Sequence, residues 1–192
     1  MERLLGYTSK EGDDGNTEFN HLRVPKSHLG IATLAALDIL QAQFGFLSFR
    51  TYRSSLSKLL FSSEFDDYHE IVNKIIEDLD HFMKFLSVDV PGRIRQFENF
   101  LKNHLYFKVV QTRRPIFQDE LSTELNYLCT VIRSTEVAVV TFINSPDFMN
   151  SQLNEKTFTD LRVYLNHLPD LILCMMNHYL FCRSLSHTDI FG

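Results

Sequence analysis

The chain has 192 residues, 44 % of them hydrophobic and 22 % charged, the size and balance of one globular domain with a substantial core. Its net charge of −5 gives no global attraction to nucleic acid or anionic lipid. Gly92 is the only glycine between Gly45 and Gly192, which argues against the glycine-rich turns of doubly wound and barrel enzymes. The cysteines Cys129, Cys174 and Cys182 are odd in number and build no disulfide framework.

Residues 1–26 begin with Leu4, Leu5 and Tyr7 and continue through an acidic, glycine-bearing stretch. They read as a flexible N-terminal arm before an all-helical domain over 27–192. Pro25 and Ser27 prepare a helix start. Over 28–47, Leu34, Leu37, Leu40, Phe44 and Leu47 share a face, with Ala32, Ala35 and Ala36 beside it for close approach. A second short helix over 50–61 is expected to turn Tyr52, Leu56, Leu59 and Leu60 inward and Arg50, Arg53 and Lys58 outward.

The strongest period lies in 63–86. Phe65, Tyr68, Val72, Ile75, Leu79, Phe82 and Leu86 recur at steps of three and four, one stripe of an α-helix. Ile71, Ile76, Met83 and Phe85 widen that stripe, so the helix is expected to be covered on more than one side. Asp67, Glu70, Lys74, Glu77, Asp78 and Lys84 are left for water. The segment predicts the central helix of a bundle, stopped by Val90-Pro91-Gly92.

A helix over 93–110 follows, with Ile94, Phe97, Leu101 and Leu105 on one face. Thr112-Arg113-Arg114-Pro115 breaks it. Over 119–143 the helical period returns through Leu121, Leu125, Leu128, Ile132, Val139 and Phe142, although residues 137–143 are β-branched enough to suit a strand. No partner strand is visible, so helix is the reading. Residues 144–156 form a loop, 157–166 a short helix, and 168–185 a final helix apolar on nearly all sides. The expected architecture is all-α: a single-domain bundle of six to seven helices.

Cys174, His178 and Cys182 stand at i, i+4 and i+8. Neighbouring pairs have metal-chelating spacing, but the ends lie about 12 Å apart, so zinc would need His178 and Cys182 plus ligands from elsewhere. Two core cysteines and a half-buried histidine explain them as well, and no cofactor is expected. Asp66–His69 and Asp78–His81 repeat Asp-x-x-His on one helix, about 120° apart, and cannot share an ion; they read as a solvated acidic face. Ser184, His187 and Asp189 are too close in sequence to converge as a triad. No phosphate loop, Gly-x-Ser-x-Gly or Cys-x-x-Cys occurs. These absences lead to the expectation that the chain is not an enzyme.

Arg93, Arg95, Lys102, Lys108, Arg113 and Arg114 make residues 93–114 the basic part of an acidic chain. That stretch suits an acidic protein partner, an intramolecular match to the acidic face of 64–80, or, with its interleaved Phe and Tyr residues, single-stranded nucleic acid. Val90-Pro91-Gly92-Arg93-Ile94 followed by Phe97 and Phe100 resembles the Asn-Trp-Gly-Arg turn that opens the central helix of Bcl-2-type bundles. The Asn and Trp are missing here, so the resemblance implies a helical bundle and assigns no site residue.

The leading expectation is therefore a non-enzymatic adaptor or scaffold that binds a partner segment in an apolar groove and pairs with a second copy as a homodimer. Met175, Met176, Tyr179 and Phe181 are the candidate groove wall, and Arg93, Arg95, Arg113 and Arg114 the candidate acidic-partner site. The alternative is a helical carrier of an apolar small molecule or lipid. No apolar h-region opens the chain and no Asn-x-Ser/Thr occurs, so an intracellular place, cytoplasm or nucleus, is expected.

Overall fold

The computed structural model describes residues 14–56, 62–104 and 120–188; the side chains of 53–56, 62–67, 101, 103–104, 178 and 181–188 lie outside that description. Within the stretch read as an arm, β1 (Asn16–Phe19) and β2 (Leu22–Pro25) pair antiparallel, Phe19 opposite Leu22 and Thr17 opposite Val24. Their two-residue loop puts Asn20 and His21 at φ 45° and 63°, the left-handed pair that matches hairpin twist. The hairpin is seated rather than free: Phe19 and Val24 are buried, and the Asn20 amide donates to the Ser151 carbonyl at 2.9 Å.

Six helices follow among the described residues: α1 (Leu29–Leu56), α2 (Ser62–Met83), α3 (Val90–His104), α4 (Glu120–Ile143), α5 (Pro146–Asn150) and α6 (Glu155–Thr188). The all-α bundle expected from the sequence is the fold observed. The helix expected over 28–47 runs on without a break into 50–56, the described part of the one expected over 50–61, because Leu47-Ser48-Phe49-Arg50 contains neither proline nor glycine to interrupt the backbone ladder; residues 57–61 lie outside the described residues. Likewise 157–166 and 168–185 merge in α6, which carries Pro169 inside it. Residues 137–143 are helical, with Val139 buried in the core and Val137 and Thr141 exposed.

The apolar stripe of α2 is buried as expected, but α2 is not the centre of the bundle: it packs chiefly on α1, while α1 lies between α2 and α4. Tyr68, Val72, Ile75, Leu79 and Phe82 are all buried. α2 stops at a Schellman turn: the Leu86 N–H donates to the His81 carbonyl at 2.8 Å and the Phe85 N–H to Phe82 at 3.0 Å. Phe85 takes the left-handed conformation, φ 57°, that glycine usually fills there. Packing of its ring against Phe19 and Phe158 offsets that local cost. α3 begins at Val90, earlier than expected: Asp89 caps it by accepting from the Gly92 N–H at 3.1 Å, and Pro91 sits in the first turn, where a missing N–H costs no bond.

α1 and α4 run antiparallel and approach closely through two buried threonines. Thr33 donates to the Ala138 carbonyl and Thr135 to that of Ala36, each at 3.3 Å. At this end of the bundle Phe142 meets Phe19, His28, Phe148 and Phe158, mostly edge to face. Gly30 makes room for that cluster, because a Cβ there would lie 2.7 Å from Phe19 Cε1. Gly30→Ala is therefore expected to cost about 1–3 kcal/mol through overpacking. Gly45→Ala on the same helix, with nothing within 4 Å, should gain about 0.5–1 kcal/mol of helix propensity. Urea unfolding of both variants checks the opposite signs.

Candidate functional site

Asp78 stands seven residues after Ile71 and four before Phe82, on the flank of the apolar face of α2. The helix therefore carries this carboxylate inward, and only 2 % of the residue is exposed. Arg93 from α3 approaches side-on as a two-pronged donor, Nε to Oδ2 at 2.6 Å and Nη2 to Oδ1 at 2.8 Å. The Tyr164 hydroxyl of α6 donates to Oδ2 at 2.8 Å, and Arg93 Nη1 donates to Gln96 Oε1 at 2.8 Å. One carboxylate is thus satisfied from two other helices, the condition under which a buried charge is tolerated. The expectation that Asp78 faces water is corrected: its donors come from elements distant in sequence, and they remove the need for hydration. The intramolecular match between the basic and acidic stretches is realised in this pair.

The electrostatics follow from burial. Loss of water around Tyr164 raises its phenol well above the ordinary tyrosine value, and the adjacent Asp78 charge adds to the effect. The Arg93 guanidinium is pushed up chiefly by its hydrogen bonds to Asp78. Beside the pair lies a cleft of about 250 Å³ lined by Glu77, His81, Ser87, Asp89 and Gln96 among others. Both Asp78 oxygens are engaged by donors, so this carboxylate is a latch and not a general base for a molecule in the cleft.

A second polar cluster joins α1 to α2. The Ser48 hydroxyl donates to Asn73 Oδ1 at 2.7 Å, and the Asn73 amide meets His69 Nε2 at 3.0 Å. That assignment leaves His69 Nδ1 as the donor to the Ser48 carbonyl at 3.2 Å. The hydroxyl is spent on Asn73 rather than on the imidazole, so the arrangement clamps two helices and activates no nucleophile.

The residues singled out in the sequence fall apart in space. Met175 and Met176 are buried in the core at 4 % and 0 % exposure and offer no groove wall, because α6 is covered on that side by the bundle. Tyr179 is half-buried, and the Phe181 side chain lies outside the described residues. Arg93 is consumed by Asp78 and Arg95 is exposed, while Arg113 and Arg114 lie outside the description. Of the zinc candidates, Cys174 is buried, its thiol pushed up to about 11 by desolvation, which disfavours the thiolate a metal needs. His178 and Cys182 have no described side chains. Among the described residues, no three His, Cys, Asp or Glu side chains are grouped to hold a metal ion.

The Asp78 latch sets a measurable pH dependence. Tyr164 titrates higher folded than unfolded, so its contribution is complete below the unfolded value of 10.0 and is lost as pH rises beyond it. Tyr164→Phe should cost about 1.5–3 kcal/mol at neutral pH by removing a charge-assisted hydrogen bond. It should also flatten the alkaline loss of stability above pH 10.0, followed by urea midpoints across pH. Arg93→Ala, which strands the buried carboxylate, should cost about 3 kcal/mol in the same assay.

No curated protein matches this chain. A family model does, described as cobalamin adenosyltransferase, and it matches residues 7–179. The match takes in β1 through α5 and most of α6. It overturns the expectation of a non-enzymatic adaptor or scaffold and that of a lipid carrier, since the family is one of enzymes. The expectation of no cofactor falls with them, because enzymes of this family act on cobalamin and use ATP. The likeness to Bcl-2-type bundles reduces to a helix start that Asp89 caps. Over most of its length and through nearly all of its helices, this chain belongs to the cobalamin adenosyltransferase family.

Proposed function

We propose that the chain transfers the adenosyl group of ATP to the cobalt of cobalamin. The observation that carries this reading is the family match over residues 7–179, which includes the hairpin as well as the bundle. In such a transfer the bond between the ribose C5′ and the triphosphate oxygen breaks and a C5′–cobalt bond forms. The triphosphate leaves with the pair of electrons from the broken bond, and the cobalt supplies the pair for the new one, so cobalamin must enter reduced. The nucleophile belongs to the substrate, and the protein's tasks are to bind, align and exclude water.

The cleft beside Asp78 does not suit either reactant. At about 250 Å³ it falls below the usual 300–1,000 Å³ of small-molecule sites, and a corrin exceeds drug size. Glu77 and Asp89 on its wall would repel a triphosphate. The reading therefore assigns the Asp78 latch to the scaffold and the reactants to another face of the bundle. It also keeps the chain inside the cell, where ATP is held.

The test is direct. The purified full chain, mixed anaerobically with ATP and chemically reduced cobalamin, is expected to form adenosylcobalamin and release one triphosphate per transfer, followed by visible absorbance and phosphate chromatography. A rate no greater than that of the protein-free mixture, from protein whose circular dichroism is helical, would refute the reading.

A further inference from the structure

His28 joins the hairpin to α1, and two partners compete for its ring. Its N–H donates to the Pro25 carbonyl at 2.9 Å, and its carbonyl accepts from the Ile31 N–H at 3.0 Å. One residue therefore closes the hairpin and caps the helix. The ring makes the side-chain part of the cap, with the Gly30 N–H donating to Nδ1 at 3.1 Å. Serine, threonine, asparagine and aspartate usually hold this place, and their oxygens go on accepting at any physiological pH. An imidazole nitrogen accepts only while it carries no proton.

The other nitrogen faces a carboxylate. Nε2 lies 3.8 Å from Asp147 Oδ2 of α5, too far for a hydrogen bond, and the same oxygen accepts from the Leu29 N–H at 3.0 Å. Only 11 % of the His28 side chain is exposed. Its ring packs on Phe19 of the hairpin and Phe142 of α4, at 5.1 Å and 6.0 Å between centroids. Among the described residues, then, the hairpin and α4 meet the ring with uncharged aromatics, and Asp147 is the charge that faces it. Exposed Lys26 stands two residues before it in the chain.

Protonation exchanges the partners. With a proton on each nitrogen, Nδ1 becomes a donor facing the Gly30 donor, and the cap bond is lost. The new positive charge also opposes the dipole at the start of α1. Nε2–H gains instead a charge-assisted bond to Asp147 as the ring closes the remaining distance. Phe19, the buried ring that seats the hairpin, packs on this imidazole, so the shift is felt in the hairpin as well. A helix cap and a partly exposed ion pair are of similar strength, so the exchange acts on local opening more than on overall stability.

We propose that His28 is an acid-sensitive catch: neutral, it caps α1 through Gly30 and holds the hairpin, and protonated, it passes to Asp147 and loosens both. This goes beyond the adenosyltransferase reading and does not depend on it. Amide hydrogen exchange of the full chain, followed by NMR and divided by the intrinsic rate at each pH, tests it. The probes are the Gly30 amide and the Lys26 amide, which closes the hairpin by donating to the Gly15 carbonyl at 2.9 Å. From about pH 7.5 to about pH 5.5, within the range where histidine changes charge, protection of both should fall roughly fivefold, the opening that loss of one cap permits. His28→Asn keeps an acceptor that does not titrate and should hold both amides at their neutral-pH protection. Asp147→Asn keeps an acceptor for Leu29 without the charge and should move the change to lower pH. Imidazole ¹⁵N shifts should show the Nε2–H tautomer at the higher pH.

Four results would overturn the proposal. They are protection that does not fall at both amides, a fall that persists undiminished in His28→Asn, a transition that Asp147→Asn leaves in place, or an Nδ1–H tautomer in the neutral ring.

Discussion

A single buried carboxylate fixes the middle of this bundle. Asp78 is only 2 % exposed, so its carboxylate oxygens need hydrogen-bond donors from the protein in place of water. Arg93 and Tyr164 supply them from α3 and α6, so the positions of those helices against α2 follow from the geometry of one group. The rings around the latch keep water out: Tyr164 lies 5.6 Å from Phe82 and 6.0 Å from Phe97, centroid to centroid. Desolvation strengthens the hydrogen bonds it encloses, and it makes the loss of any one donor expensive.

The other end of the bundle is organised chiefly by aromatic rings. Phe142 and Phe158, from α4 and α6, form a cluster with Phe19 of the hairpin, Phe85 after α2 and Phe148 of α5. Three stretches far apart in sequence, the hairpin, the end of α2 and residues 142–158, meet through edge-to-face and tilted rings, and aromatic bulk does there what the ion pair does at Asp78. Asp147 adds the polar component by accepting the Leu29 N–H at 3.0 Å, which caps the first turn of α1 from α5. A hairpin too short to be stable alone is held because Phe19 is one of the rings.

Periodicity exposed most of this and concealed the joints. The buried face of α2 was readable because hydrophobic spacing reports which side faces in, and the same holds for Leu125, Leu128, Ile132, Val139 and Phe142 of α4. The continuity of α1 through Ser48 and of α6 through Pro169 was not readable, since polar or breaking residues are tolerated where tertiary packing holds both flanks. The hairpin was missed because four-residue strands carry almost no periodic signal, although Asn20-His21 between Phe19 and Leu22 is compatible with a two-residue turn. Asp78 could have been found: an acid on the flank of an apolar stripe implies a buried partner, and Arg93 and Tyr164 were the residues to test.

Function was concealed for a chemical reason. A search for serine, cysteine, histidine and carboxylate constellations asks where a protein keeps its nucleophile and base. Adenosyl transfer to cobalt keeps the nucleophile on the substrate and the leaving group on ATP, so an enzyme of this kind shows an inert set of side chains to such a search. The expectation that the chain is not an enzyme is overturned by the family match. What such an enzyme must supply instead is shape, apolar surface and fixed polar contacts. Those are the properties a helical bundle with more apolar faces than its own core consumes already has, and α1, apolar on both sides, is where that surplus is concentrated.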